Sequence, residues 1–256
     1  MVRQMLLYER VVPLSPARHG RWSIAPLEDL GFAAGVNSLP LMVSEFAAAA
    51  VEYPIVFVVD DRGATPMVVL GFRANRNALV DGAGRWRGRY LPAFLRRYPF
   101  VFSASPDGRT LTLCIDESHR GFDAKGRRGE RLFDDAGNRT AALERALAFT
   151  RTFQDEHDRT RRFGAMLKDA GLLGPASARA AGPEGAAASL AGFHCVDRAK
   201  LKALDGERLA ALMAADALEL AHLHLLSLRN FDRLAEFTAT DDRSRGDAHA
   251  APPAAH

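Results

Sequence analysis

Residues 54–72, PIVFVVDDRGATPMVVLGF, decide the fold class. Two short runs rich in Val, Pro54–Val59 and Pro66–Phe72, are separated by DDRGAT. An Asp-Arg-Gly step between such runs signals a β-hairpin. Neither run alternates apolar with polar residues, so both faces of each strand are expected to be covered. Further along, Pro99–Ser103 and Thr110–Ile115 flank Asp107-Gly108 and form a second hairpin. On the N-terminal side, Leu6–Leu14 reads as a strand running into a turn. Leu39–Tyr53, LPLMVSEFAAAAVEY, reads as a mostly buried helix, because Ala is the best helix former and Pro40 suits a first turn.

The C-terminal half is helical. A long helix is expected from Asn138 or Thr140 to about Lys168. Leu143, Leu147, Phe149, Phe153, Phe163 and Leu167 form its apolar side, and Gly171 ends it. Pro175–Ala188, rich in Ala, Gly and Pro, reads as a mobile linker, and Leu190–Val196 as one more strand. Asp197–Leu204, Glu207–Met213 and Asp216–Leu234 read as helices, the first with Asp197 as N-cap. The chain is therefore expected to be α+β, with a central, mainly antiparallel sheet and a helical C-terminal portion. A single domain over residues 1–237 and a disordered tail over 238–256 complete this reading.

Composition narrows the partners. The net charge of +3 across 256 residues is too weak to indicate nucleic acid. No stretch approaches the roughly 18 uninterrupted apolar residues of a membrane span. MVRQMLLYERVVPLS is broken by Glu9 and Arg10 and does not read as a signal peptide. The expected location is the cytoplasm, with export by a route lacking a cleaved signal as the alternative. Cys114 and Cys195 lie in apolar runs and read as buried free thiols.

No phosphate-binding loop, zinc-ligand spacing or nucleophile elbow is present. Gly82 and Gly84 form a GxG without the third, helix-opening Gly, so neither a dinucleotide nor any other cofactor is expected. His222 and His224 are two apart on a helix and cannot easily share a metal, and no metal site is expected. The loop Asp116-Glu117-Ser118-His119 brings acid, hydroxyl and imidazole together, as a polar turn also would.

The densest polar and aromatic mixture is 72–103, FRANRNALVDGAGRWRGRYLPAFLRRYPFVFS. Guanidinium forks hold carboxylates and phosphates, and aromatic rings hold planar groups. Asn75, Asn77, Trp86, Tyr90, Arg96 and Arg97 are therefore the expected binding residues. The competing reading is an arginine-laced corner paired internally to Glu45, Asp60, Asp81 or Asp116. An enzyme reading would use Glu45 or Asp116 as general base, His19 or His119 as proton carrier, and Arg96 against a developing anion.

SEFAAAAVEYPIVF, GFRANRNALVDGAGRWRGRYLPAFLRRYPF, RLFDDAGNRT, LAGFHCV and HLHLLSLRNFDRL, in that order, resemble the bacterial SapC-like proteins over roughly Leu6–Leu234. The family is named after a gene associated with a bacterial surface-layer system, and some members carry a peptide-transport label. A permease role fits badly, since no membrane span is read here. Relatives often lie beside genes for flavin-dependent halogenase-like proteins and outer-membrane receptors. The resemblance thus implies a non-catalytic accessory or binding protein of a surface, uptake or modification pathway. Its partner would be a protein or peptide, a flavin-dependent halogenase-like protein among them. The resemblance carries no catalytic residues. A structural homodimer built on the last helix is the remaining alternative.

Overall fold

The computed structural model describes residues 7–26, 29–180 and 188–239. In chain order the N-terminal half contains β1 (Val11–Pro13), α1 (Pro16–His19), β2 (Ser23–Ile24), β3 (Ser38–Pro40), α2 (Phe46–Ala50), β4 (Ile55–Asp60), β5 (Gly63–Val69), α3 (Ala93–Arg97), β6 (Phe100–Ala104) and β7 (Leu111–Asp116). There follow β8 (Phe122–Asp123), β9 (Glu130–Arg131), α4 (Ala141–Asp169), β10 (Leu173–Ala180), β11 (Ala188–Val196), α5 (Arg198–Lys202), α6 (Gly206–Ala214) and α7 (Ala217–Ser227). Helical turns over 230–239 continue from α7.

The fold is α+β, and every described strand pairing is antiparallel. The strands form three sheets, ordered β10-β11-β4-β5-β3, β1-β7-β6 and β8-β2-β9. The deciding hairpin is β4–β5, closing with Asp60 opposite Gly63. The second hairpin, β6–β7, pairs Phe100 with Ile115 and Ala104 with Leu111. Helix α4 packs against β5, and α7 packs against β4 and β11, so the large sheet is well covered by helices.

Two segments differ from the sequence reading. Leu39–Met42 is not helical: β3 pairs Ser38–Pro40 with Val69–Met67 at the sheet edge. Leu39 precedes a proline, which disfavours helical backbone there, and an edge strand tolerates Pro40. Helix begins only after Met42, with a 3-10 turn over Val43–Glu45 leading into α2. The expected linker is not a linker over Pro175–Ala180: β10 pairs with β11 from Leu173–Val196 to Ala180–Ala188. Its small side chains mimic linker composition, while a long partner strand satisfies its backbone. Residues 181–187 of that linker lie outside the described residues.

Helix α4 organises the rest. Thr140 caps it, accepting from the Leu143 amide, and its 29 residues span about 44 Å. Its first turns cover a small core of Phe100, Ile115, Leu132, Phe133 and Leu143. Its later turns bury Phe153, Phe163 and Leu167 in the main core with β4 and β5. The last helix is broken near Leu228 and carries on to residue 239, where Thr238 is buried and donates to Leu234 O at 2.9 Å. Of the expected tail, 240–256 lie outside the described residues. Among the described residues no single helix is long and apolar enough to cross a membrane. One pair, bent by 87° between Ala214 and Ala217, passes that length and composition test together.

Candidate functional site

The Arg/aromatic stretch is suspended from two buried carboxylates. Glu45, 4% exposed, accepts from the Ala93 amide at 2.7 Å, the Met42 amide at 2.9 Å and the Tyr90 hydroxyl at 2.8 Å. Glu52 accepts from the Arg89 and Tyr90 amides at 2.7 and 3.1 Å. Burial, with the Glu45 charge beside it, pushes the Tyr90 phenol well above its ordinary range. Beneath this loop, Trp86 Nε1–H reaches Tyr90 O at 3.0 Å and Tyr53 Oη at 3.2 Å. The chain passes so close at Gly88 that a Cβ would come within 1.9 Å of Tyr53 Oη.

So anchored, α3 presents its two arginines differently. Arg96 is exposed. It donates from Nε to Leu91 O and from Nη2 to Tyr90 Oη, with its guanidinium over the Phe149 ring at 5.2 Å. Arg97 is only 2% exposed and lies 4.2 Å from the Phe153 ring centroid. Both border a cleft of about 440 Å³ between α3, α4 and the Ala25–Pro26 turn. Phe149 and Phe100 supply apolar wall, and Arg145 lines it with Glu130, its partner at 2.7 Å.

His119 also lines the cleft. It is 5% exposed, packed edge-on against Tyr98 and Phe122, and its Nε2 has no hydrogen-bond partner. Burial pulls its pKa down to about 4, although Asp116 works the other way. At neutral pH it is therefore an uncharged ring with an unused polar nitrogen.

Arg96, Arg97 and His119 thus share one cleft, and Glu45 and Tyr90 support it through Arg96. The remaining expected residues lie elsewhere. Asn77 is buried and spent on Ala33 O and the Leu79 amide. Asn75 is exposed with φ 56°, serving a turn. Trp86 is half-buried in the knot under the loop, outside the cleft lining. His19 is wholly buried. Its Nε2–H donates to Glu117 Oε1 at 3.1 Å, and the Ser15 amide donates to its Nδ1 at 3.2 Å. Arg18 grips the same carboxylate with two bonds, 2.6 and 2.7 Å, and holds it below the usual carboxylate range.

Asp116 accepts from the Glu9, Arg10 and Ser118 amides and from the Ser118 hydroxyl. Those hydrogen bonds outweigh burial and lower its pKa. A carboxylate this fully engaged is a poor proton acceptor. Of the internal pairings expected for the arginines, Arg85–Asp81 forms at 2.9 Å. Sequence reading missed Arg145, Glu130 and Phe149, which only the packing of α4 brings to α3. Phe149 was visible as part of an apolar helix side, but nothing marked it as a cleft wall. Among the described residues no group of three His, Cys, Asp or Glu side chains could hold a metal ion.

The family model described as SapC matches residues 14–234. No curated protein and no solved structure matches the chain.

Proposed function

The chain belongs to the SapC family, and we propose that it acts as a binding protein whose α3–α4 cleft holds the anionic end of an aromatic or peptide ligand. The supporting observation is that Arg96, Arg145 and His119 line one cleft, with the buried His119 Nε2 left without a hydrogen-bond partner. An unsatisfied buried polar atom costs about 1–3 kcal/mol unless something bonds to it. A ligand carboxylate would meet the Arg96 guanidinium, its ring would lie on Phe149, and a polar group would engage His119. Glu130 neutralises much of Arg145, so Arg96 supplies the main accessible charge.

Calorimetric titration with N-acetylphenylalanine and with its C-terminal amide tests this reading. The acid binds at least tenfold more tightly than the amide, and Arg96→Ala removes that difference. Equal binding of acid and amide, or an unaffected R96A variant, contradicts it. Arg97→Ala is a poor probe, because it strips a buried guanidinium from Phe153 and would disturb the core.

The same nitrogen supports a second reading, an acid–base enzyme. A neutral imidazole beside a ligand is a general base, here a weak one because burial holds its pKa near 4. His119→Gln would then abolish turnover of a bound ligand while leaving its affinity within about twofold.

A further inference from the structure

On the other side of the Arg97–Phe153 stack lies a second hollow, a slot of about 580 Å³ between the β4–β5 tip, β6 and α4. One wall of this slot belongs to the open edge of a strand. β6 ends its sheet: β7 pairs with one side of it, and among the described residues no strand pairs with the other.

The ladder fixes which backbone groups that edge offers. The Asp116 amide donates to Pro99 O at 3.0 Å and the Ser105 amide to Thr110 O at 2.9 Å, so these are bonded pairs at the two ends of the hairpin. Bonded and non-bonded pairs alternate along an antiparallel ladder. With Phe100 opposite Ile115 and Ala104 opposite Leu111, the N–H and C=O of Phe100, Phe102 and Ala104 point away from β7. The Tyr8 hydroxyl takes up Phe100 O at 2.8 Å. Among the described residues nothing bonds to the outward groups of Phe102 and Ala104, and both residues line the slot.

Edge strands are usually blunted by proline, charge or shortness. β1, β3 and β10 each contain a proline, Pro13, Pro40 and Pro175, and β8 and β9 are charged and only two residues long. β6, FVFSA, has neither proline nor charge. Leu111, 46% exposed, stands beside it in the slot lining, and Gln154, His157 and Arg161 line the slot from α4. The charges there offset one another: Asp60 lines the slot with Arg62, and Asp158 lies 3.9 Å from Arg161.

We infer that the β6 edge is a docking site for an extended, uncharged peptide segment of a partner protein, which adds to the sheet as a fourth strand and packs against α4. Its backbone runs about 4.8 Å from β6 and bonds to the free groups of Phe102 and Ala104. Unpaired main-chain groups select an extended backbone, and the offset charges select an uncharged one. With α4 and the β4–β5 tip on the other sides of the slot, a lone segment fits against β6 better than the edge of a second copy's sheet, which would bring its own α4 with it.

The test is calorimetric titration and hydrogen exchange of the full chain with acetyl-Thr-Val-Thr-Val-Thr-amide. Its analogue N-methylated at every residue keeps the side chains and loses every donor. The parent peptide binds saturably, at least tenfold more tightly than the analogue, and slows exchange of the Phe102 and Ala104 amides at least tenfold. Ala104→Pro removes one outward N–H and no ladder bond; it weakens the peptide at least threefold with circular dichroism unchanged. Should A104P fail to fold, the comparison of peptide and analogue on the wild type decides. Arg96→Ala leaves peptide binding intact, which separates this site from the α3–α4 cleft. The inference is overturned by absent saturable binding, by an analogue that binds as tightly, by unprotected Phe102 and Ala104 amides, by unchanged affinity in a folded A104P variant, or by binding lost in R96A. Protection of the two amides that rises with protein concentration in the absence of peptide also overturns it, and assigns the edge to a second copy.

Discussion

Gly164 sits inside α4, where propensity alone would favour alanine by about 1 kcal/mol. The helix lies so close to β5 that a Cβ there would come within 1.8 Å of Ala64 O, a backbone atom unable to swing aside. Gly164→Ala should therefore destabilise the protein by about 2 kcal/mol despite the helical gain, as read by urea unfolding. A variant more stable than the wild type would mean that the contact is loose. Glu45 makes a parallel case. Replacing it with Gln turns one acceptor oxygen into a donor, facing either the Met42 amide or the Ala93 amide. E45Q should cost about 2–3 kcal/mol and speed hydrogen exchange at the Ala93 amide. Unchanged exchange would show that the carboxylate does not anchor the loop.

At the scale of elements, His224 ties α7 to two strands. Its Nε2 accepts from the Val196 amide of β11 at 3.0 Å, and its Nδ1–H donates to Ile55 O of β4 at 2.9 Å. Protonation would turn Nε2 into a donor facing the Val196 N–H, so the first bond requires the neutral ring, and burial lowers its pKa to about 4. The unfolded chain takes up this proton near pH 6.5, before the folded protein does. Its contribution is therefore complete above about pH 6.5 and is lost as the pH falls towards 4, about 3 kcal/mol in all. His224→Gln should lower stability at pH 7 and flatten that part of the profile. An equally steep profile in H224Q would place the titration elsewhere.

Elements built from local signals were legible in the sequence: both hairpins, the Thr140-capped helix and the Asp197-capped helix. Edge strands β3 and β10 were not, because their stability comes from β5 and β11 rather than from Leu39-Pro40 or an Ala-rich run. The site divides along the same line. Arg96, Arg97 and His119 were readable as chemistry, whereas Arg145 and Phe149 join them only through the packing of α4.

Across the whole molecule, α4 bridges two cores, and both hollows lie along it: the cleft beside residues 142–149 and the slot beside 153–161. Phe153 and Arg97 stand between them, which explains why the arginine is buried while its neighbour Arg96 is exposed. The 72–103 stretch is thus partly scaffold, with Asn77 and Trp86 holding the loop, and partly cleft wall, with Arg96 and Arg97 in the lining. The most direct measurement is a crystal structure grown with saturating N-acetylphenylalanine. The carboxylate should lie at hydrogen-bond distance, about 3 Å, from the Arg96 guanidinium, with the ring against Phe149. An empty cleft, or a ligand whose acid group points away from Arg96, would contradict the binding role.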